Sequence, residues 1–181
     1  MHSSPHTRSD LLRQISVIAA VVFMIVAAMI ETGLLGGTNV HDLQGGALDA
    51  DATVLAPGPP AFSIWSVVYA LMIGYAIWQT LPGQRRRERQ RRVGWAIAGT
   101  AVLNGGWLPT SQFLNLFATV VVIAALTAAL GATLQLLVRG PPERWTDRLL
   151  MDATVGIHLG WVALAAALVL GSRVRRVAPL P

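Results

Sequence analysis

Seven side chains carry most of the chemistry open to this sequence: Phe62, Trp65, Tyr69, Asn104, Trp107, His158 and Trp161. They supply flat π-faces, a phenol, a carboxamide and an imidazole, all inside otherwise apolar runs. Phe62, Trp65, Tyr69, Met72 and Ala76 are spaced by three and four, so a helix carries them as one stripe. Ile97, Thr100, Asn104 and Trp107 form a second such stripe, and Thr154, His158, Trp161 and Ala165 a third. A span that had only to dissolve in lipid would use Leu and Val there. Three aromatic or polar stripes could face one cavity, where stacking faces and a few polar contacts suit a flat, apolar ligand.

Each of these residues also has a plainer use. Tryptophan marks membrane interfaces. That belt reading is favoured for Trp78, Trp95 and Trp145, which lie near basic segments, whereas Trp65 and Trp107 fit belt and pocket equally. Trp161 lies about 18 Å along its helix from the basic end, too deep for a belt, which leaves packing or pocket. Asn104 within a span must find a partner on another helix or on a ligand. His158 is an ionisable group at depth and so a functional candidate, with a hydrogen bond between helices equally open. Haem ligation through one histidine is a weak signal. Asp152 lies six positions before His158 and does not share its face; pairing with loop arginines is its expected use. With no cysteine, no nucleophile motif, no phosphate loop and no metal-ligand cluster, no catalytic or metal-binding residue is assigned and no cofactor is required.

The elements that must position these side chains are apolar and long. Hydrophobic residues make up 54% of the 181 and charged residues 13%, a balance that points to a membrane protein. The fold class expected is all-α integral membrane, a bundle of five transmembrane helices. The apolar runs place them at about 11–35, 60–81, 93–109, 113–138 and 149–171, after a disordered tail at 1–10 and before a basic tail at 173–181. Residues 15–30 are long for a signal peptide and no small-x-small site precedes the loop, so a first span is favoured. Gly36 to Pro60 is a long loop rich in Gly, Asp and Pro, readable as a lid or as a connector. Pro109 to Gln112 reads as a tight turn. Ala124, Ala128 and Ala132 recur every fourth residue, as close helix packing in membranes prefers.

All the basic side chains counted in the net charge of +5 are arginines, and they lie between the apolar runs. That arrangement favours anchoring loops over a nucleic-acid surface. With the N-terminus inside, eleven arginines fall on the inner side, six of them in Gln84 to Arg92, and three in the tail fall outside. The count favours a cytoplasmic N-terminus.

Ala61-Phe62-Ser63-Ile64-Trp65-Ser66-Val67-Val68-Tyr69, Arg92-Val93-Gly94-Trp95, Leu103-Asn104-x-x-Trp107 and Leu159-Gly160-Trp161-Val162-Ala163 together resemble the tryptophan-rich sensory protein family, TspO/MBR. The likeness runs from about Leu48 to Leu170 and suits a divergent branch. It implies a five-helix bundle in a bacterial cell membrane, often dimeric, that binds tetrapyrroles such as protoporphyrin IX or haem. It also implies that the family's pocket residues fall on Trp65, Tyr69, Asn104, Trp107 and Trp161. The first loop departs from the family in having no Trp, Leu108-Pro109-Thr110 replaces aromatic or apolar residues, and helix five has no proline.

The function expected is binding of a tetrapyrrole or similar hydrophobic ligand, with a sensory, stress-regulatory or transport role. One alternative is a small transporter or transporter subunit for another hydrophobic or amine substrate. Another, implied by the resemblance, is a light-dependent porphyrin-degrading enzyme, for which the sequence offers no dedicated acid, base or metal. The expected partners are the lipid bilayer, the hydrophobic ligand and a second copy of the chain, with no nucleic acid.

Overall fold

The computed structural model describes residues 5–31 and 63–177. The loop from Gly36 to Pro60, with the lid or connector reading placed on it, and Phe62 lie outside the described residues. The described chain is all-helical: α1 (Pro5–Glu31), α2 (Ile64–Trp78), α3 (Glu88–Phe113), α4 (Leu116–Val138) and a fifth helix, α5, over 145–177. α5 starts with the turn Trp145–Asp147, widens into a π-helical stretch at Arg148–Ala153 and continues as an α-helix over Thr154–Val177.

The helices close a ring. α1 packs on α3, α3 on α4, α4 on α5, and α2 bridges α5 back to α1. Every helix contributes to one apolar core: Val17 and Met24, Val68 and Met72, Ile97 and Ala101, Leu126 and Leu130, Val155 and Val162. The outer surface is apolar too, with Leu12, Val22, Ile77, Val102 and Leu164 exposed. An apolar exterior around an apolar core suits a lipid solvent. Arg8–Ile30, Phe117–Val138 and Trp145–Ala167 are long and apolar enough to cross a membrane. α2 is apolar but shorter, and the basic first turns and polar stripe of α3 lower its hydropathy. The protein is a multi-pass, all-α membrane protein.

Several element ends differ from those the apolar runs suggest. α1 begins at Pro5, a residue that first helical turns accept, so helix extends into the stretch read as a tail at 1–10. α3 begins at Glu88, inside the arginine run, and passes through Pro109 to Phe113 instead of turning there. Thr110 donates its hydroxyl to the Gly106 carbonyl at 2.8 Å in the same turn. α4 starts at Leu116, capped by the Asn115 side chain accepting from the Ala118 amide at 2.9 Å. α5 carries on to Val177, into the stretch read as a basic tail. Ala124, Ala128 and Ala132 are exposed, so this small-residue stripe faces away from the bundle.

The close approach of α1 and α3 depends on Gly105. A Cβ there would lie 2.7 Å from the Phe23 ring and 3.0 Å from the Met24 backbone. Gly105→Ala is therefore expected to push the two helices apart and cost about 1–3 kcal/mol. Thermal unfolding in detergent checks this; an unchanged midpoint would mean the contact opens freely.

Candidate functional site

All three stripes face the bundle interior. On α2, Val68, Met72, Tyr75 and Ala76 are buried, with Trp65 and Tyr69 half-buried a turn or two earlier. On α3, Ile97, Thr100 and Asn104 are each 1% exposed and Trp107 is half-buried. On α5, Thr154 and His158 are buried and Trp161 half-buried.

Trp65 is the hub. Its ring stacks on Tyr69 at 5.6 Å between centroids, meets His158 edge-on at 5.8 Å and meets Trp161 edge-on at 6.5 Å. Four of the expected residues therefore form one aromatic cluster across α2 and α5. Trp107 approaches from α3: it and Tyr69 both pack on Ala27 and Ala28 of α1. Asn104 lies one turn before Trp107 on the same face of α3.

Among the described residues, both amide atoms of Asn104, the Trp107 indole nitrogen and His158 Nε2 are buried without a hydrogen-bond partner. Leaving such a group unpaired in a buried site costs about 1–3 kcal/mol each. Polar groups held in this condition beside half-buried aromatic rings are suited to meeting a ligand that supplies what the described protein groups do not.

The π-helical stretch sets where α5 presents these groups. The Thr154 hydroxyl donates to the Leu150 carbonyl at 3.0 Å as the widened turn closes. Beyond it, Thr154, Val155, His158 and Val162 all point inward. Such widened turns recur at functional sites.

The opposite end of the bundle is closed by charge. Arg87 grips Asp147 through both guanidinium nitrogens, at 2.7 and 2.8 Å, and reaches Glu143 at 2.8 Å. Asp147 also accepts the amides of Glu143 and Arg144, each at 3.1 Å. Arg89 bonds Asp152 at 2.5 Å and the Gly140 carbonyl at 2.9 Å. Arg91 holds Asp10 through two bonds of 2.8 and 2.5 Å. Gln14 and Gln79 exchange side chain-to-carbonyl bonds between α1 and the end of α2, at 2.6 and 3.1 Å. Tyr75 donates to Gln90 at 2.8 Å. Arg13, 1% exposed, fits only because Gly94 has no Cβ, which would sit 2.6 Å from its stem. The bond to Asp147 holds the Arg87 guanidinium above its ordinary pKa, so it stays charged at any working pH.

A chain with these five helices, this inward aromatic cluster and this charged end matches the sequence profile described as TSPO-like protein over residues 13–170. The chain belongs to the TSPO-like protein family. Neither a curated protein nor a solved structure matches the sequence. The matched residues of this TSPO-like protein include the aromatic stripes and the arginine run from Arg85 to Arg92, with Asp10 just before them.

The charged end of the TSPO-like bundle is what spacing did not show. The arginine run reads as a solvated loop, yet four of its six arginines are ion-paired, three of them to other helices. The pairing of Asp152 with a loop arginine is as expected, through Arg89. The signal for the rest was the presence of Asp10 and Asp147 at the same end, inside or beside apolar runs. Trp78 is also corrected. It is 7% exposed rather than part of an interfacial belt, because Tyr75 packs on it and the Arg87 guanidinium lies 6.0 Å over its ring. Trp95 and Trp145 are exposed, at 49% and 72%, as a belt requires.

Proposed function

We propose that this TspO-type membrane protein binds a tetrapyrrole, or a ligand of similar flat and apolar character, among α2, α3 and α5, with a sensory or transport role. One observation carries the reading: the buried and unpartnered atoms of Asn104, Trp107 and His158 sit with the Trp65–Tyr69–Trp161 rings at one end of the bundle. Ring faces would stack on the macrocycle, and the unpartnered groups would meet its polar substituents. Either protoporphyrin IX or haem fits this donor set. In haem, His158 Nε2 would be the nitrogen free to approach the iron.

The test is a titration of detergent-purified protein with protoporphyrin IX, followed by quenching of Trp fluorescence and by the Soret band. Saturable one-site binding is expected in the parent protein. In Trp161→Ala the affinity is expected to fall about tenfold, the order for loss of a well-packed aromatic contact. Equal affinity in the two proteins would remove Trp161 from the site. Absence of saturable binding would overturn the tetrapyrrole reading.

A further inference from the structure

At the charged end, a cleft of about 560 Å³ opens beside the turn between α2 and α3. Its lining includes Gln14 of α1 and Leu81, Gly83, Arg85 and Arg86 of the turn, with two arginines and no carboxylate. Gly83, at φ 87°, takes the left-handed conformation that bends the turn around it. The arginine run divides in two here. Arg87, Arg89, Arg91 and Arg92 each have a carboxylate partner. Arg85 and Arg86 have none among the described residues, and they are the two that line the cleft. Arg85 Nε is buried with no hydrogen-bond partner. Behind it, Arg13 donates to the Arg85 carbonyl at 2.9 Å and leaves its own Nε and Nη1 without hydrogen bonds. Arg13 Nη1 lies 3.7 Å from the Asp10 carboxylate, so the positive charge without a carboxylate among the described residues is that of Arg85 and Arg86, in the cleft itself.

The surroundings say what kind of anion fits. The cleft follows directly on the end of α2 at Trp78, so it sits where an apolar helix gives way to polar chain. Leu81 on its rim is 48% exposed, and Ile77, one turn back along α2, is 62% exposed. On α1, Leu11 and Ile18 flank Gln14 by three and four residues and are 44% and 39% exposed. An anion seated between the arginines would thus have apolar flanks running away from it toward lipid. The planar guanidinium of arginine pairs two oxygens of a carboxylate or phosphate with two parallel bonds, and basic pockets between membrane helices suit lipid phosphates.

We infer that the Arg85–Arg86 cleft is a phosphate-binding site that takes the headgroup of an anionic phospholipid, with its acyl chains along the exposed apolar flanks of α1 and α2. The site is separate from the aromatic cluster and does not depend on what that cluster binds.

Native mass spectrometry of the detergent-purified chain, titrated with phosphatidylglycerol or phosphatidylcholine, tests it. Phosphatidylglycerol is expected to be retained in preference to phosphatidylcholine. The double variant Arg85→Ala/Arg86→Ala is expected to lose about thirtyfold in phosphatidylglycerol affinity, the order for two arginines facing an anionic lipid. Arg139→Ala/Arg148→Ala removes the same charge from two exposed arginines elsewhere and is expected to behave as the parent. If the first double variant does not purify, Arg86→Gln alone, at an exposed position, is expected to weaken the preference several-fold, roughly the share of one arginine. Equal retention of the two lipids, or a preference that survives loss of Arg85 and Arg86, overturns the assignment. Inorganic phosphate is the competing source: displacement of the lipid by phosphate at matching concentration would overturn the phospholipid and leave a free phosphate site.

Discussion

Replacing Arg87 with alanine is expected to lower the unfolding midpoint in detergent by roughly 6–20 °C, from a loss of about 3–5 kcal/mol. The cause is less the loss of an attraction than the charge left behind. Asp147 has a side chain 0% exposed, and Arg87 is its charged partner. Without the guanidinium, the carboxylate keeps only the two backbone amides of Glu143 and Arg144. Trp78 would also lose the cation over its ring. The second substitution Asp147→Asn separates these causes. Its amide oxygen can still accept the two backbone bonds, but it carries no charge to strand. Arg87→Ala/Asp147→Asn should therefore be more stable than Arg87→Ala alone. A single variant that melts like the parent would mean the pair carries no weight. A double variant that melts no higher than the single would place the loss elsewhere, with Trp78 the first suspect. A buried ion pair of this kind adds little net stability over an apolar pair, but it resists being broken. Here it joins residues 60 apart in sequence, which ties the start of α3 to the start of α5.

Asn104→Leu is expected to move stability and binding in opposite directions. Neither amide atom of Asn104 has a hydrogen-bond partner among the described residues, and the residue is 1% exposed. Leucine has a similar shape and no polar atom to bury, so the ligand-free protein should gain about 1–3 kcal/mol. If the amide exists for a ligand, the same change should weaken protoporphyrin IX binding by about tenfold or more, since a lost hydrogen bond in a dry site is worth about that. Thermal unfolding without ligand and a fluorescence titration with it, on one preparation, read both quantities. A gain in stability with unchanged affinity would make Asn104 a tolerated defect and detach α3 from the site. A loss of stability would mean Asn104 finds a partner within the bundle and that its unpaired state has another cause. Proteins commonly hold such costs where function needs them.

The stripes were legible because helical period decides face. Trp65 and Tyr69, Asn104 and Trp107, His158 and Trp161 point inward in the structure as their spacing of three and four requires. Ile97, Thr100 and Thr154 follow the same rule, each 1% exposed. Apolar run length made five helices and a membrane legible for a similar reason, since burying backbone polar groups in lipid leaves few solutions. Helix ends were less legible. Propensity did not stop α3 at Pro109, since a proline removes only one bond of the helix ladder and tertiary packing can hold the rest through to Phe113.

What the sequence determined by itself, then, is which way the aromatic and polar stripes of α2, α3 and α5 face and in what solvent the helices sit, since both follow from local period and polarity; the alanine stripe of α4, which faces outward, carried no such contrast. Which neighbour each face meets was decided only in the tertiary structure. Arg87, Arg89 and Arg91 look alike along the chain, yet they bond acids 60, 63 and 81 residues away. Nothing local distinguishes them from Arg85 and Arg86, which line the cleft instead. Ring closure brings Asp10, Asp147 and Asp152 to the same end, and a charge away from water must be paired there. The same closure buries Trp78 and seats Trp65 against His158 and Trp161 across α2 and α5. Local spacing sets direction, whereas pairing depends on the order in which five helices close around one core.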